Sequence, residues 1–152
     1  MSLKGFRDQG LIPGRTYTIL LELIKRKEKK NKWKQKESVV GLGLMVSSGI
    51  LITYLFFFHS ENLGSIHGFH ALIGRPELWL MLFCCLFFMI LFTYCHGERV
   101  DAEDDFDDLR EECIDREEHL WPKEQANAYG DSPRYVILTT VKKDYDINLF
   151  YK

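Results

Sequence analysis

The sequence predicts an all-α membrane protein: a two-transmembrane-helix hairpin with an N-terminal basic amphipathic helix, an acidic juxtamembrane helix and an extended C-terminal tail. Three observations carry that prediction. Two runs without a charge, residues 38–58 and 78–95, hold 21 and 18 residues. A basic block at residues 25–36, eight Lys or Arg against one Glu, stands directly before the first run. An acidic block at residues 98–118, twelve Asp or Glu against three Arg, follows the second. The formal charge of −2 over 152 residues thus conceals local charges of +7 and −9.

As helices the two runs would reach about 31 and 27 Å, against a hydrocarbon thickness of about 30 Å. Trp33 and Trp79 fall just before the runs and Tyr94 near the end of the second, the placement of aromatic residues at headgroup level. Basic residues crowd before the first run, and Arg75 stands alone between the two. That bias puts the N-terminus on the cytoplasmic side, or the matrix side in a mitochondrion, and a second span returns the C-terminus to it. Pro13, Arg15 and Glu22 interrupt the apolar residues near the N-terminus, so the first span is expected to serve as its own insertion signal. The expected localisation is an integral, multi-pass protein of the plasma membrane, an endomembrane or the mitochondrial inner membrane.

Six segments follow. Residues 1–37 form the N-terminal segment, 38–58 and 78–95 the two spans, and 59–77 the short loop on the far side. Residues 96–121 form the acidic helical segment and 122–152 a partner-binding tail. Within the first, residues 14–36 predict one helix. Pro13 and Gly14 mark its start, Thr16 or Thr18 offers an N-cap, and Leu20, Leu23, Ile24 and Lys27 share a face. A basic amphipathic helix of this kind lies at a membrane surface, where anionic headgroups attract each Lys or Arg by about 1 kcal/mol. Anionic lipid is therefore an expected partner; nucleic acid is not.

A hairpin brings the basic and acidic blocks to one side, within reach of attraction at a Debye length of about 8–10 Å. Exposed ion pairs contribute about 0–1 kcal/mol each. The blocks then either orient the tails and dock a charged partner, or serve as a topology signal and a solvated tail. In the first span Gly43 and Ser47 stand four apart, a spacing that lets another helix approach closely. The second span is bulky, with Phe83, Phe87, Phe88 and Phe92. Neither holds a carboxylate, His or Arg within its apolar run, which argues against a pump or transporter.

Polar residues elsewhere support no catalytic, cofactor or metal assignment. His59, Glu61, His67 and His70 could offer zinc ligands, but their spacing matches no closed site. Asp101, Glu103, Asp105 and Glu112 occupy positions of a calcium loop, yet Phe106 stands where that loop needs Gly. A helix is the better reading, with Phe106, Leu109, Cys113 and Leu120 as a narrow apolar seam suited to docking. The four cysteines imply no disulfide framework. Cys95 and His96 are neighbours that would point apart on a helix, and Cys95 is a palmitoylation candidate.

After Pro122 a loop, residues 124–133, leads to "RYVILTTV" at 134–141, a run of β-formers that predicts a short strand. One strand cannot stand alone, so it is expected to add to a partner. Tyr17 and Tyr135 begin Tyr-x-x-apolar sorting patterns, and Ser132-Pro133 fits a phosphorylation pattern. The expected function is a non-enzymatic accessory or assembly subunit of an integral membrane protein complex, docking through its spans and charged tails. The alternatives are a membrane-shaping hairpin and a small homo-oligomeric channel, for which Ser47, Ser48 and Thr53 supply the only polar lining.

Overall fold

A computed structural model describes residues 3–116, 120 and 133–150, apart from the side chains of Asn62 and Pro133. In chain order the elements are α1 (Leu3–Asp8), α2 (Gly14–Thr53), a π-helical turn (Tyr54–Phe58), α3 (Ser60–Leu63), α4 (Ile66–Ile73), α5 (Pro76–Asp115) and α6 (Pro133–Tyr145). No strand occurs among the described residues. The chain divides into two compact units: Met1–Lys30 with Asp101–Lys152, and Asn31–Val100.

The first unit closes around one apolar core. Short α1 contributes Leu3 and Phe6, and Ile12 follows in the connection. Gly10, with φ +70°, ends α1. Leu11 N–H donates to Phe6 O and Gly10 N–H to Arg7 O, at 3.0 and 2.9 Å. That pair of bonds is a Schellman cap, whose left-handed position suits glycine. The first turns of α2 bury Leu20, Leu23 and Ile24, of the face its periodicity predicts, and Tyr17 with them. The second half of α5 adds Phe106 and Cys113, with Leu109 and Leu120 packed against the core. The predicted seam is real, but its partners are helices of its own chain.

The predicted strand at 134–141 is instead the first part of α6, so the tail is not extended. Pro133 presets the backbone for a first helical position. Ile137, Leu138 and Val141 are buried while Tyr135 and Val136 are exposed, a helical face that a two-residue period would split. A lone strand would leave its backbone unpaired, whereas a helix bonds within itself and still buries those side chains. Packing therefore overrides β-propensity. Asp146, with φ +55°, turns the chain after Tyr145, a conformation that Asp tolerates better than most residues. The turn carries Ile147 and Leu149 into the core.

The predicted basic helix at 14–36 does not stop there, because α2 continues through the apolar run to Thr53. Neither threonine caps it. Both sit inside the helix, where Thr16 Oγ1 donates to Leu120 O and Thr18 Oγ1 to Gly14 O at 3.0 Å. Likewise α5 passes from the second apolar run into the acidic block without a break. The predicted loop at 59–77 is largely helical. Ser65 caps α4 by accepting from Gly68 N–H at 3.0 Å, and Trp79 Nε1 donates to Ile73 O at 2.8 Å.

Within the second unit the two apolar stretches pack antiparallel. Trp33 meets Tyr94 edge-on at 6.0 Å. Farther along, Phe92 covers Gly41 and Phe88 covers Gly43: a Cβ there would lie 3.3 and 2.6 Å from the rings. Gly43 of the small-residue pair is thus covered by the chain's own second apolar helix. Both helices are long and apolar enough to cross a membrane. None of the most apolar window of α2 is buried, and only 6 % of that of α5. A core helix of a soluble protein would be covered; these are candidate transmembrane helices.

Candidate functional site

Inside the first unit the basic and acidic blocks meet. Lys30 Nζ approaches Glu103 at 2.7 Å and Asp107 at 3.8 Å, and Lys29 Nζ approaches Asp105 at 3.3 Å. Arg26 donates to the Asp105 carbonyl at 2.6 Å. Lys27 reaches the Asp146 carboxylate at 3.3 Å. Lys27 and Lys30 also lie over the Phe106 ring, 5.4 and 5.1 Å from its centroid. With Lys25 beside Glu22 at 3.9 Å, five of the eight residues of the basic block are therefore engaged by acidic groups and carbonyls of their own chain.

What this pairing leaves over is an acidic ridge. Asp101, Asp104, Asp108 and Glu111 are exposed. They recur at steps of three and four along α5, and so line one helical face. The face offset from it buries Ala102, Phe106 and Cys113. These four carboxylates have no counter-charge among the described residues. The ridge was readable from spacing, but the apolar seam on the same helix drew the sequence reading.

A second polar cluster lies in the other unit. Glu37 places Oε1 2.7 Å from His96 Nδ1 and Oε2 2.6 Å from Arg99 Nε. A carboxylate only accepts, so the first contact requires the His96 proton on Nδ1. The Arg99 approach is an ion pair without hydrogen-bond alignment at Nε. Phe92 stacks on the His96 ring at 6.2 Å. The residue that orients His96 lies 59 positions away, so the local sequence gave no sign of it. Beside this cluster an open groove of about 570 Å³ is lined by Lys34, Glu37, Ser38, Gly41 and Phe92, among others.

The remaining sequence candidates are not assembled into sites. His59 contacts Arg75 at 3.4 Å and Tyr54 edge-on, while His67 and His70 stand three apart on α4 and are exposed. Among the described residues no three His, Cys, Asp or Glu side chains converge as metal ligands. The calcium-loop positions lie on continuous helix, with Glu103 and Asp105 turned to lysines. Cys95 is buried. The Tyr17 ring is buried under the Arg7 guanidinium. Tyr135 is 54 % exposed, but Leu138 of the same pattern is buried. Ser132 and the loop at 124–132 lie outside the described residues. Burial, with Glu112 assisting, pushes the Cys113 thiol up to about 11. A thiol so rarely ionised near neutral pH is a poor nucleophile.

Residues 19–152 match the model of a family described as "Protein of unknown function (DUF2663)", and the chain belongs to that family. No curated protein and no solved structure matches it.

Proposed function

For this member of the DUF2663 family we propose a non-enzymatic role, as an accessory or assembly subunit of a larger integral membrane complex. Its apolar stretches of α2 and α5 cross the bilayer as a hairpin, and both tails lie on the cytoplasmic or matrix side, where basic residues crowd. The observation that carries the reading is the ridge of Asp101, Asp104, Asp108 and Glu111, exposed and without counter-charge among the described residues. Like charges along one helix face cost a few tenths of a kcal/mol per pair. A basic surface on a partner would offset that repulsion and steer association. In the exposed basic stretch just ahead of the span, Lys32, Lys34 and Lys36 make no ion pair among the described residues and suit anionic headgroups.

Two observations weigh against the alternatives. A membrane-shaping helix must present its apolar face to lipid, but Leu20, Leu23 and Ile24 face a protein core. A pore needs polar lining, but Ser47 and Thr53 direct their hydroxyls to the Leu44 and Gly49 carbonyls of their own helix. Affinity purification in mild detergent tests the proposal. A fixed set of co-purifying proteins is expected, reduced when the four ridge carboxylates become amides or lysines. A chain recovered alone and monodisperse, with or without those substitutions, would exclude a stoichiometric complex.

A further inference from the structure

We propose that the groove beside Glu37 is a binding site for one anionic phospholipid. Its phosphate would sit at Lys34 and Ser38, and one acyl chain would run along Gly41, Leu42, Met45 and Phe92. The inference rests on the reading that α2 and α5 cross a bilayer, and it names a ligand which that reading does not.

The lining carries an amphiphile's pattern. Lys34, Ser38, Leu42 and Met45 recur at steps of three and four on α2, so they form one stripe. That stripe passes from a cation, through a hydroxyl, to apolar side chains over about 16 Å of helix. Gly41 adds no side chain and leaves the Phe92 ring as the groove's wall, 3.3 Å from where a Cβ would stand. Leu42 and Met45 are 66 and 75 % exposed, so the apolar end opens sideways, the direction from which lipid enters.

Charge selects the headgroup. Glu37 is the one acid in the lining, and its carboxylate faces His96 and Arg99. It is therefore a poor acceptor for the ammonium of a zwitterionic lipid. Lys34 has no carboxylate partner and Ser38 no hydrogen-bond partner among the described residues. Both point to a phosphate, one as a charge and one as a donor. With Glu37 held by His96 and Arg99, Lys34 is the charge that the polar end presents, and it favours an anionic lipid.

The test uses the full-length chain in vesicles of mixed phosphatidylcholine and phosphatidylglycerol, then native mass spectrometry after release into mild detergent. The unmodified chain should retain phosphatidylglycerol in preference to phosphatidylcholine. Lys34→Glu should weaken that retention about fivefold, the factor equivalent to about 1 kcal/mol at 1.4 kcal/mol per tenfold. Lys32→Glu is the control, because Lys32 carries the same charge two residues away and does not line the groove. Equal loss for both variants, or loss for neither, overturns the site. Alkaline carbonate extraction of the same vesicles reads the spans separately. A chain released by carbonate overturns the membrane reading and the site with it. A chain that stays while the variants behave alike overturns the lipid site alone.

Discussion

Lys30 Nζ lies 2.7 Å from Glu103 Oε1, with the lysine side chain only 18 % exposed and the glutamate 35 %. The contact joins residues 73 positions apart and binds the basic block of α2 to the acidic block of α5 inside one unit. Lys30 also packs over Phe106, whose ring is buried. Part of each block therefore serves as the other's partner, and Lys27 and Lys30 cover Phe106 of the apolar seam.

Reversing one charge of this pair should be felt, and reversing both should be felt less. Lys30→Glu is expected to destabilise the first unit by about 1 kcal/mol, since both partners keep some contact with water and a cation–π contact goes with the lysine. Adding Glu103→Lys should restore part of that loss. Urea unfolding of the two single variants and the double variant forms the cycle. Simple additivity would mean that the pair contributes nothing.

Among the glycines of the first apolar stretch, Gly43 is the most closely covered. A Cβ would stand 2.6 Å from Phe88 Cε1, so even alanine forces the ring to move. Overpacking of this kind costs about 1–3 kcal/mol. Gly43→Leu should lower the thermal stability of the detergent-solubilised protein, and Phe88→Ala in the same chain should recover part of it. Gly49 has nothing within 4 Å of its Cβ position, so Gly49→Ala should be silent. If both glycines respond alike, local packing against Phe88 is not the cause.

The parts legible in the sequence were those with a strong local period. Both apolar runs, the buried face of α2 and the seam of Phe106, Leu109 and Cys113 all follow helical spacing. What was not legible depended on contacts far apart in the chain. Glu37 and His96 are separated by 59 positions, and no local pattern announces that one orients the other. Short α1 has six residues, too few for a period to show. The β-formers of 134–141 misled because propensity is weak against burial: the core offered a site for a helical face and no second strand to pair with.

Topology is the next expectation. If both apolar stretches cross the membrane, the basic excess before Ser38, against Arg75 between them, would place both tails on one side of it. Protease added to sealed vesicles with that side outward should reach both ends of the chain, while residues 59–77 stay protected. Protection of one tail with cleavage of the other would leave a single span.

Cys113 supplies a pH dependence. Its thiol rises from 9.0 to about 11, chiefly through burial and secondarily through Glu112. The folded chain holds this proton more tightly than the unfolded one. The group's contribution to stability is therefore intact below pH 9.0 and declines as pH climbs toward 11. Alkylation near neutral pH should be slow in the folded protein and fast after urea, because the thiolate is the reactive form. Cys113→Ser should flatten the alkaline loss. Rapid native alkylation, traced to Cys113 by peptide mapping, would contradict the buried placement.

The C-terminal helix yields the sharpest outcome. An extended tail that pairs only with a partner could be removed without harm to the rest of the chain. Instead Ile137, Leu138, Val141, Ile147 and Leu149 are core residues alongside Leu20, Leu23 and Phe106. Ile137 is fully buried, so Ile137→Ala removes transfer energy and leaves a cavity, about 2–5 kcal/mol in all. Leu138→Pro should be worse. It removes a helical N–H and drives its ring against the carbonyl one turn back, about 3 kcal/mol or more, besides the lost packing. Tyr135→Ala on the exposed side should cost far less. Limited proteolysis in detergent separates these cases: the first unit of the Ile137 and Leu138 variants should become cleavable within residues 14–30 and 101–116, while the apolar stretches of the second unit stay protected by micelle and mutual packing. Unchanged protection after Leu138→Pro would show that α6 is dispensable to the core and return it to the role of a tail.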